Sequence, residues 1–107
     1  MKEDSFVRFV LDQLGALEGL ECRAMFGGHG IYLDENFFGI LHDGRAYFRT
    51  RESTRPKYAE YGMSPFRPNE RQTLRNYYEV PVDILEDRDA LCEWACASAA
   101  TAPARPG

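Results

Sequence analysis

Long apolar runs are absent from the sequence: none approaches the ~20 residues that span a bilayer, so no membrane anchor is expected. The N-terminus, Met1-Lys2-Glu3-Asp4, is too acidic for a secretory signal, and no apolar stretch of the right kind follows it. Together these absences point to the cytoplasm. Cysteine is scarce as well. Cys22, Cys92 and Cys96 are odd in number and too few for a disulfide framework. Cys92 and Cys96 lie four apart on an expected helix and would share a face, but no histidine or second cysteine pair follows to complete a metal site. Reduced thiols packed as small apolar groups are the better reading. Histidine is limited to His29 and His42, and no motif places a nucleophile and a carboxylate beside either one. The acidic pair Asp87 and Asp89 sits at an expected helix start, where it complements the macrodipole without any acid–base role. The chain is therefore expected not to be an enzyme, with no catalytic residue, metal or cofactor to assign.

What is present is ordinary globular composition: 107 residues, 44% hydrophobic and 28% charged, enough for one hydrophobic core. A single domain over residues 1–100 with a disordered tail at 101–107, rich in proline and alanine, is expected. Net charge is −4, unevenly spread: residues 1–44 carry −5, residues 45–75 carry +5 and residues 76–107 carry −4. An acidic chain with a basic middle is no general nucleic-acid binder, yet it offers one local surface attractive to anions.

Phe6, Phe9, Val10, Leu14 and Leu17 recur at helical spacing, with Asp4 or Ser5 as N-cap and Gly19 as the stop. Three strand-like segments follow: Cys22 to Leu33, then Asn36 to His42, and, after the hairpin signal Asp43-Gly44, Arg45 to Thr50. Ser53 is placed to cap a short helix through Lys57, Tyr58 and Tyr61, with Pro56 in its first turn and Gly62 at its C-terminal end. Pro65-Phe66-Arg67-Pro68 can only be a short or edge strand, because proline donates nothing to a ladder. Thr73 to Val80 is the last strand, ended by Pro81, and Asp87 opens a final helix that presents Leu91, Trp94, Ala95, Ser98 and Ala99 on one face. The order α-β-β-β-α-β-β-α is that of a two-layer α+β domain, its helices packed on a mainly antiparallel sheet.

The run Met25-Phe26-Gly27-Gly28-His29-Gly30 invites a phosphate-loop reading. Such a loop needs glycines between a strand and a helix N-terminus. Here the chain continues into Ile31-Tyr32-Leu33, a further strand segment, so a glycine bulge or sharp bend is the favoured reading. Strand alternation offers a different candidate surface. If Ala46 and Phe48 face the helices, then Arg45, Tyr47 and Arg49 face outward, and if Leu74, Tyr78 and Val80 face inward, so do Arg75 and Tyr77 face outward. With Arg51, Arg55 and Lys57 these form a basic-aromatic set, and Phe37 and Leu41 are candidates for the same outer face. Such a surface suits a protein partner or self-association, and less well nucleic acid, whose bases aromatic and arginine side chains can stack.

The segment Arg23 to Tyr32, with the signature residues Met25, Phe26, Gly27, Gly28 and Gly30, resembles that of the TfoX N-terminal domain family. Phe38 to Leu41, Asp43-Gly44 before Tyr47-Phe48-Arg49, Gly62 before Pro65-Phe66, Tyr77 to Pro81 and the helix with Leu91, Glu93, Trp94 and Ala95 extend the resemblance over about residues 5 to 100. It implies a two-layer fold like that of secretion chaperones. It also implies a non-enzymatic accessory factor in bacterial transcription and competence regulation, acting with a partner that includes transcription factors. Family members carry a second, C-terminal domain, whereas this sequence ends at Gly107. The family glycine is also missing from the turn Asn69-Glu70-Arg71-Gln72. Direct binding of nucleic acid through residues 45–75 is the alternative.

Overall fold

A computed structural model describes residues 2–25 and 27–101. The chain runs α1 (Lys2–Gln13), β1 (Leu20–Met25), β2 (Gly28–Leu33), β3 (Asn36–His42), β4 (Arg45–Arg49), α2 (Arg55–Glu60), β5 (Pro65–Asn69), β6 (Gln72–Glu79), α3 (Val82–Leu85) and α4 (Arg88–Thr101). The strands form one sheet, in the order β1-β2-β3-β4-β6-β5, and every pairing in it is antiparallel. This is the α+β arrangement the element order predicts.

Turn chemistry explains the four-strand meander. Asp43 and Gly44, at φ +51° and +72°, make the β3–β4 turn that the sequence signals. Asp34 and Glu35 do the same between β2 and β3, at φ +51° and +70°. The expected single strand from Cys22 to Leu33 is in fact two. Met25 pairs with Gly28, and Gly27, at φ +76°, turns the chain between them. The glycine run thus holds a hairpin reversal, at a φ that glycine takes without strain. Phe26 and residues 102–107, the bulk of the expected tail, lie outside the described residues.

The helices lie against one side of the sheet. Val10 of α1 and Leu14 just beyond it, Ile84 and Leu85 of α3, and Leu91, Ala95 and Ala99 of α4 close on Ile31, Phe38, Leu41, Ala46, Phe48 and Val80. Phe9, expected on the buried stripe of α1, is 40% exposed, because Val10 and Leu14 take the inward positions. α1 begins at Lys2, so Ser5 lies inside it and does not cap it. Asp87 does cap α4, its Oδ1 accepting the Ala90 amide at 3.1 Å. The N-cap of α2 is Thr54 and not Ser53, whose Oγ instead accepts from Arg51 Nε at 3.0 Å.

Two irregularities alter which residues share a face. In β3, Tyr32 faces Phe37 but Ile31 faces Gly39, so Phe38 is an extra residue in a β-bulge. Alternation resets there: Phe38 and Leu41 both point to the helices, while Phe37 and Ile40 both point away. Leu41, expected on the outer face beside Phe37, is therefore core and 1% exposed. In the β5–β6 hairpin, Pro65 faces Tyr78 whereas Phe66 faces Leu74. The extra residues of β6 turn Leu74 outward, although its parity with Tyr78 predicts the inward side.

Candidate functional site

The side of the sheet without helices is neither flat nor polar. Ile40, Tyr47, Phe66 and Tyr77 form a second buried cluster there, with Phe37 and Leu74 packed against it. β5 lies at the sheet edge, two strands beyond β4, yet Phe66 stacks on Tyr47 with centroids 4.4 Å apart and reaches His42 of β3 at 5.4 Å. The β5–β6 hairpin therefore curls back over the sheet, as the added twist of an irregular register allows.

That curl leaves a groove of about 650 Å³. One wall is Phe66, Pro68, Asn69, Gln72 and Leu74 of the hairpin; the other is Met25, Gly28 and His42, with Phe37 and Ile40 between them. Its size falls in the ~300–1,000 Å³ range of ligand-sized clefts. The glycine signature shapes it from below. A Cβ on Gly28 would come within 2.5 Å of the Leu41 carbonyl, and one on Gly30 within 2.9 Å of the Phe37 ring and 3.0 Å of the Met25 methyl. Hydrogen at Gly30 lets Met25 and Phe37 lie across β2, and hydrogen at Gly28 lets the backbone approach the Leu41 carbonyl. Gly28 and Gly30 of the signature thus help set the shape of this groove.

The predicted basic-aromatic set is divided among three settings. Tyr47 and Tyr77 point away from the helices as alternation predicts, yet they are 9% and 8% exposed. Phe66 covers the first, and Phe37 packs on the second with centroids 5.7 Å apart. Burial raises the pKa of both phenols. For Tyr47 the nearby Glu79 and Asp43 add to the rise while Arg45 opposes it, and for Tyr77 the Arg49 guanidinium opposes it without prevailing. Arg49 is half-buried, its guanidinium 5.8 Å from the Tyr77 ring centroid. Arg45 is exposed and pairs with Glu79 at 3.1 Å. Arg51 and Arg75 are exposed at other points of the surface. Arg55 and Lys57 belong to the helix side: Arg55 bonds Thr50 Oγ1 and Asn76 Oδ1, and Lys57 Nζ lies 4.6 Å from the Trp94 ring. The set is not one open aromatic platform.

Sequence reasoning missed Ile40, His42, Phe66 and Leu74 as parts of a site. A signal for them exists in the neighbouring apolar pairs Phe37-Phe38, Ile40-Leu41, Tyr47-Phe48 and Tyr77-Tyr78. A strand with one wet face alternates; consecutive large apolar residues require cover on both sides.

Among the described residues, no group of three or more His, Cys, Asp or Glu is placed to hold a metal ion. Cys92 is half-buried, its Sγ 3.5 Å from the Gln13 carbonyl, and burial raises its thiol pKa, as it does for Cys22. A raised pKa disfavours the thiolate that nucleophilic or metal chemistry needs. No described helix is long and apolar enough to cross a membrane.

Comparison with known proteins adds two findings. The model of the TfoX N-terminal domain matches residues 12–102. A protein of Aliivibrio fischeri named DNA transformation protein TfoX1 is 30% identical over 90 residues, a match that takes in 82% of this chain and 41% of that protein.

Proposed function

The chain belongs to the TfoX N-terminal domain family, and from that premise we propose that it is a non-enzymatic protein-interaction module that helps regulate competence for DNA uptake. The family suggests the competence role, and the similar Aliivibrio protein is named for DNA transformation. Because the chain spans 41% of that relative, the regulatory activity of the longer protein is carried over as part of the proposal.

The observation that supports an interaction role is the groove. The outer face buries Ile40, Tyr47, Phe66 and Tyr77 against one another without any helix above them, and it still leaves an apolar cleft beside Phe37 and Leu74. Aromatic and aliphatic side chains that converge on a cleft are what a partner's anchoring residues use. The same geometry weakens the alternative of direct nucleic-acid binding, because the Tyr47 and Tyr77 rings are covered and cannot take up a stacked base.

Site-specific photocrosslinking in the native bacterium tests this reading. A benzophenone amino acid in place of Leu74, at the groove, should trap a defined protein partner. The same group in place of Glu93, exposed on α4, should not. Crosslinks from position 93 and none from position 74 would assign the interaction to the helix side and overturn the reading.

A further inference from the structure

We propose that two copies of this chain pair through the free edge of β1, about a two-fold axis at Cys22, so that one antiparallel sheet runs through both. This interface is separate from the groove and does not depend on its reading.

The sheet ends at β1 on one side and at β5 on the other. Pro65 and Pro68 remove two donors from β5. β1 contains no proline, and its Glu21, Arg23 and Ala24 are exposed. Such an edge is a template for another strand. The ladder decides which groups it offers. The Asp34 amide donates to the Gly19 carbonyl at 3.1 Å, in the register that pairs Leu20 with Leu33. Alternation then directs the backbone groups of Glu21, Arg23 and Met25 to β2, and turns the N–H and C=O groups of Leu20, Cys22 and Ala24 outward.

Charge then selects the register, and with it the occupant. A second β1 that matches outward groups to outward groups places one residue opposite its own copy. Centring on Glu21 or on Arg23 sets like charges against each other, which is destabilising. Centring on Leu20 or Ala24 leaves much of the strand unpaired. Centring on Cys22 sets Glu21 of each copy opposite Arg23 of the other, twice by symmetry. Those pairs fall at the non-hydrogen-bonded positions, where side chains come closest. Within one copy Arg23 Nη2 already lies 3.2 Å from Glu21 Oε1, both side chains half-exposed, and its guanidinium lies 4.9 Å from the Tyr32 ring centroid. Both charges are therefore held on the face where the other copy would meet them. On the helix side, where Leu20 and Cys22 pack against the core, the same register sets Leu20 against the small Ala24. The strand is thus complementary to itself in backbone, charge and size. The far ends of the joined sheet are the two proline-bearing β5 edges, so the assembly closes at two copies.

Sedimentation velocity on the intact chain over a concentration series tests this, and should show a monomer–dimer equilibrium. Glu21→Arg and Arg23→Glu, each alone, put like charges opposite one another and should weaken dimerisation about tenfold or more. An equal mixture of the two variants should dimerise again, because every opposed pair between unlike copies then carries opposite charges. The double variant Glu21→Arg/Arg23→Glu should dimerise by itself for the same reason. Both side chains are exposed, so circular dichroism should show all three variants folded. Amide exchange supplies a second readout: Leu20, Cys22 and Ala24 should gain protection as concentration rises, while Glu21 and Arg23 are slow throughout. A chain that stays monomeric up to about 1 mM, well above the weak-affinity range, would overturn the proposal. So would a dimer indifferent to either single reversal, which would use another surface, or single variants that fail to pair when mixed.

Discussion

The two faces of this sheet are built from the same strands and often from adjacent residues, yet they are closed in different ways. On one face Phe48, Phe38 and Leu41 lie beneath α4, whose Ser98 Oγ sits 2.8 Å from the Arg49 carbonyl and 3.1 Å from the Phe38 carbonyl. On the other face Tyr47, Ile40 and Tyr77 are covered only by other side chains and by the curl of β5. Phe48 is fully buried, whereas Tyr47 next to it keeps 9% of its surface. The helix face is closed by secondary structure that is hydrogen-bonded within itself, so its packing contributes mainly stability. The outer face is closed by the sheet's own edge, and that closure stops short, leaving a cleft.

The largest expected effect tests whether this contrast is energetic. Phe48→Ala removes a ring enclosed by Phe38 and the helices and should cost about 3–5 kcal/mol in urea unfolding. Phe66→Ala, on the curled edge, should cost clearly less while abolishing the position-74 crosslink. Equal losses would mean that the outer cluster is as much core as the inner one.

Glycine substitution sharpens the comparison at smaller scale. A Cβ on Gly39 would lie 2.6 Å from Ile31 Cγ1 and 3.2 Å from the Phe48 ring, inside the closed face. Gly39→Ala should cost about 1–3 kcal/mol through overpacking. A Cβ on Gly30 would meet the Phe37 ring edge and the mobile end of Met25, both bordering an open groove. Gly30→Ala should therefore leave stability nearly unchanged and narrow the groove, an effect read by thermal melts and by loss of the position-74 crosslink. A Gly30→Ala variant as unstable as Gly39→Ala would break the distinction.

The smallest effect appears only in alkali. Burial against Trp94 and Tyr78 raises the pKa of Tyr58 far above the ordinary phenol value. Its neutral form is the one the folded state holds. The associated stability is complete below the unfolded pKa of about 10 and is lost as pH rises from there toward the folded value. Melting temperature should fall above about pH 10, and Tyr58→Phe should flatten that fall more than Tyr47→Phe on the outer face. An unchanged slope in Tyr58→Phe would remove the linkage.

Much of this architecture is legible in the residues. Asp43-Gly44 announces its hairpin, Asp87 its helix, and Gly62 the end of α2 at φ +76°. Two-residue alternation also places Tyr47 and Tyr77 away from the helices. What alternation cannot supply is the site where it resets. The Phe38 bulge and the slipped β5–β6 register each follow from contacts between distant segments, and these send Leu41 inward and Leu74 outward against simple parity. The groove is hidden for the same reason: it exists because Phe66 crosses two strands, a fact of tertiary curvature and not of local pattern.

The bulge at Phe38 and Gly39 also bears on how the gene can change in length. β3 spends seven residues, Asn36–His42, and one of them is surplus to regular pairing. Deleting Gly39 leaves Phe37 and Ile40 on the outer face and Phe38 and Leu41 on the inner one, because even alternation then gives the order the bulge now provides. β4 has no such surplus: deleting Ala46 would shift the residues after it by one and exchange the sides of Tyr47 and Phe48. A scan of single-residue deletions should find folded protein across the middle of β3 and none across β4. The bulge is therefore a length buffer, one residue deep, set between the family's glycine hairpin and the strand at the centre of the core.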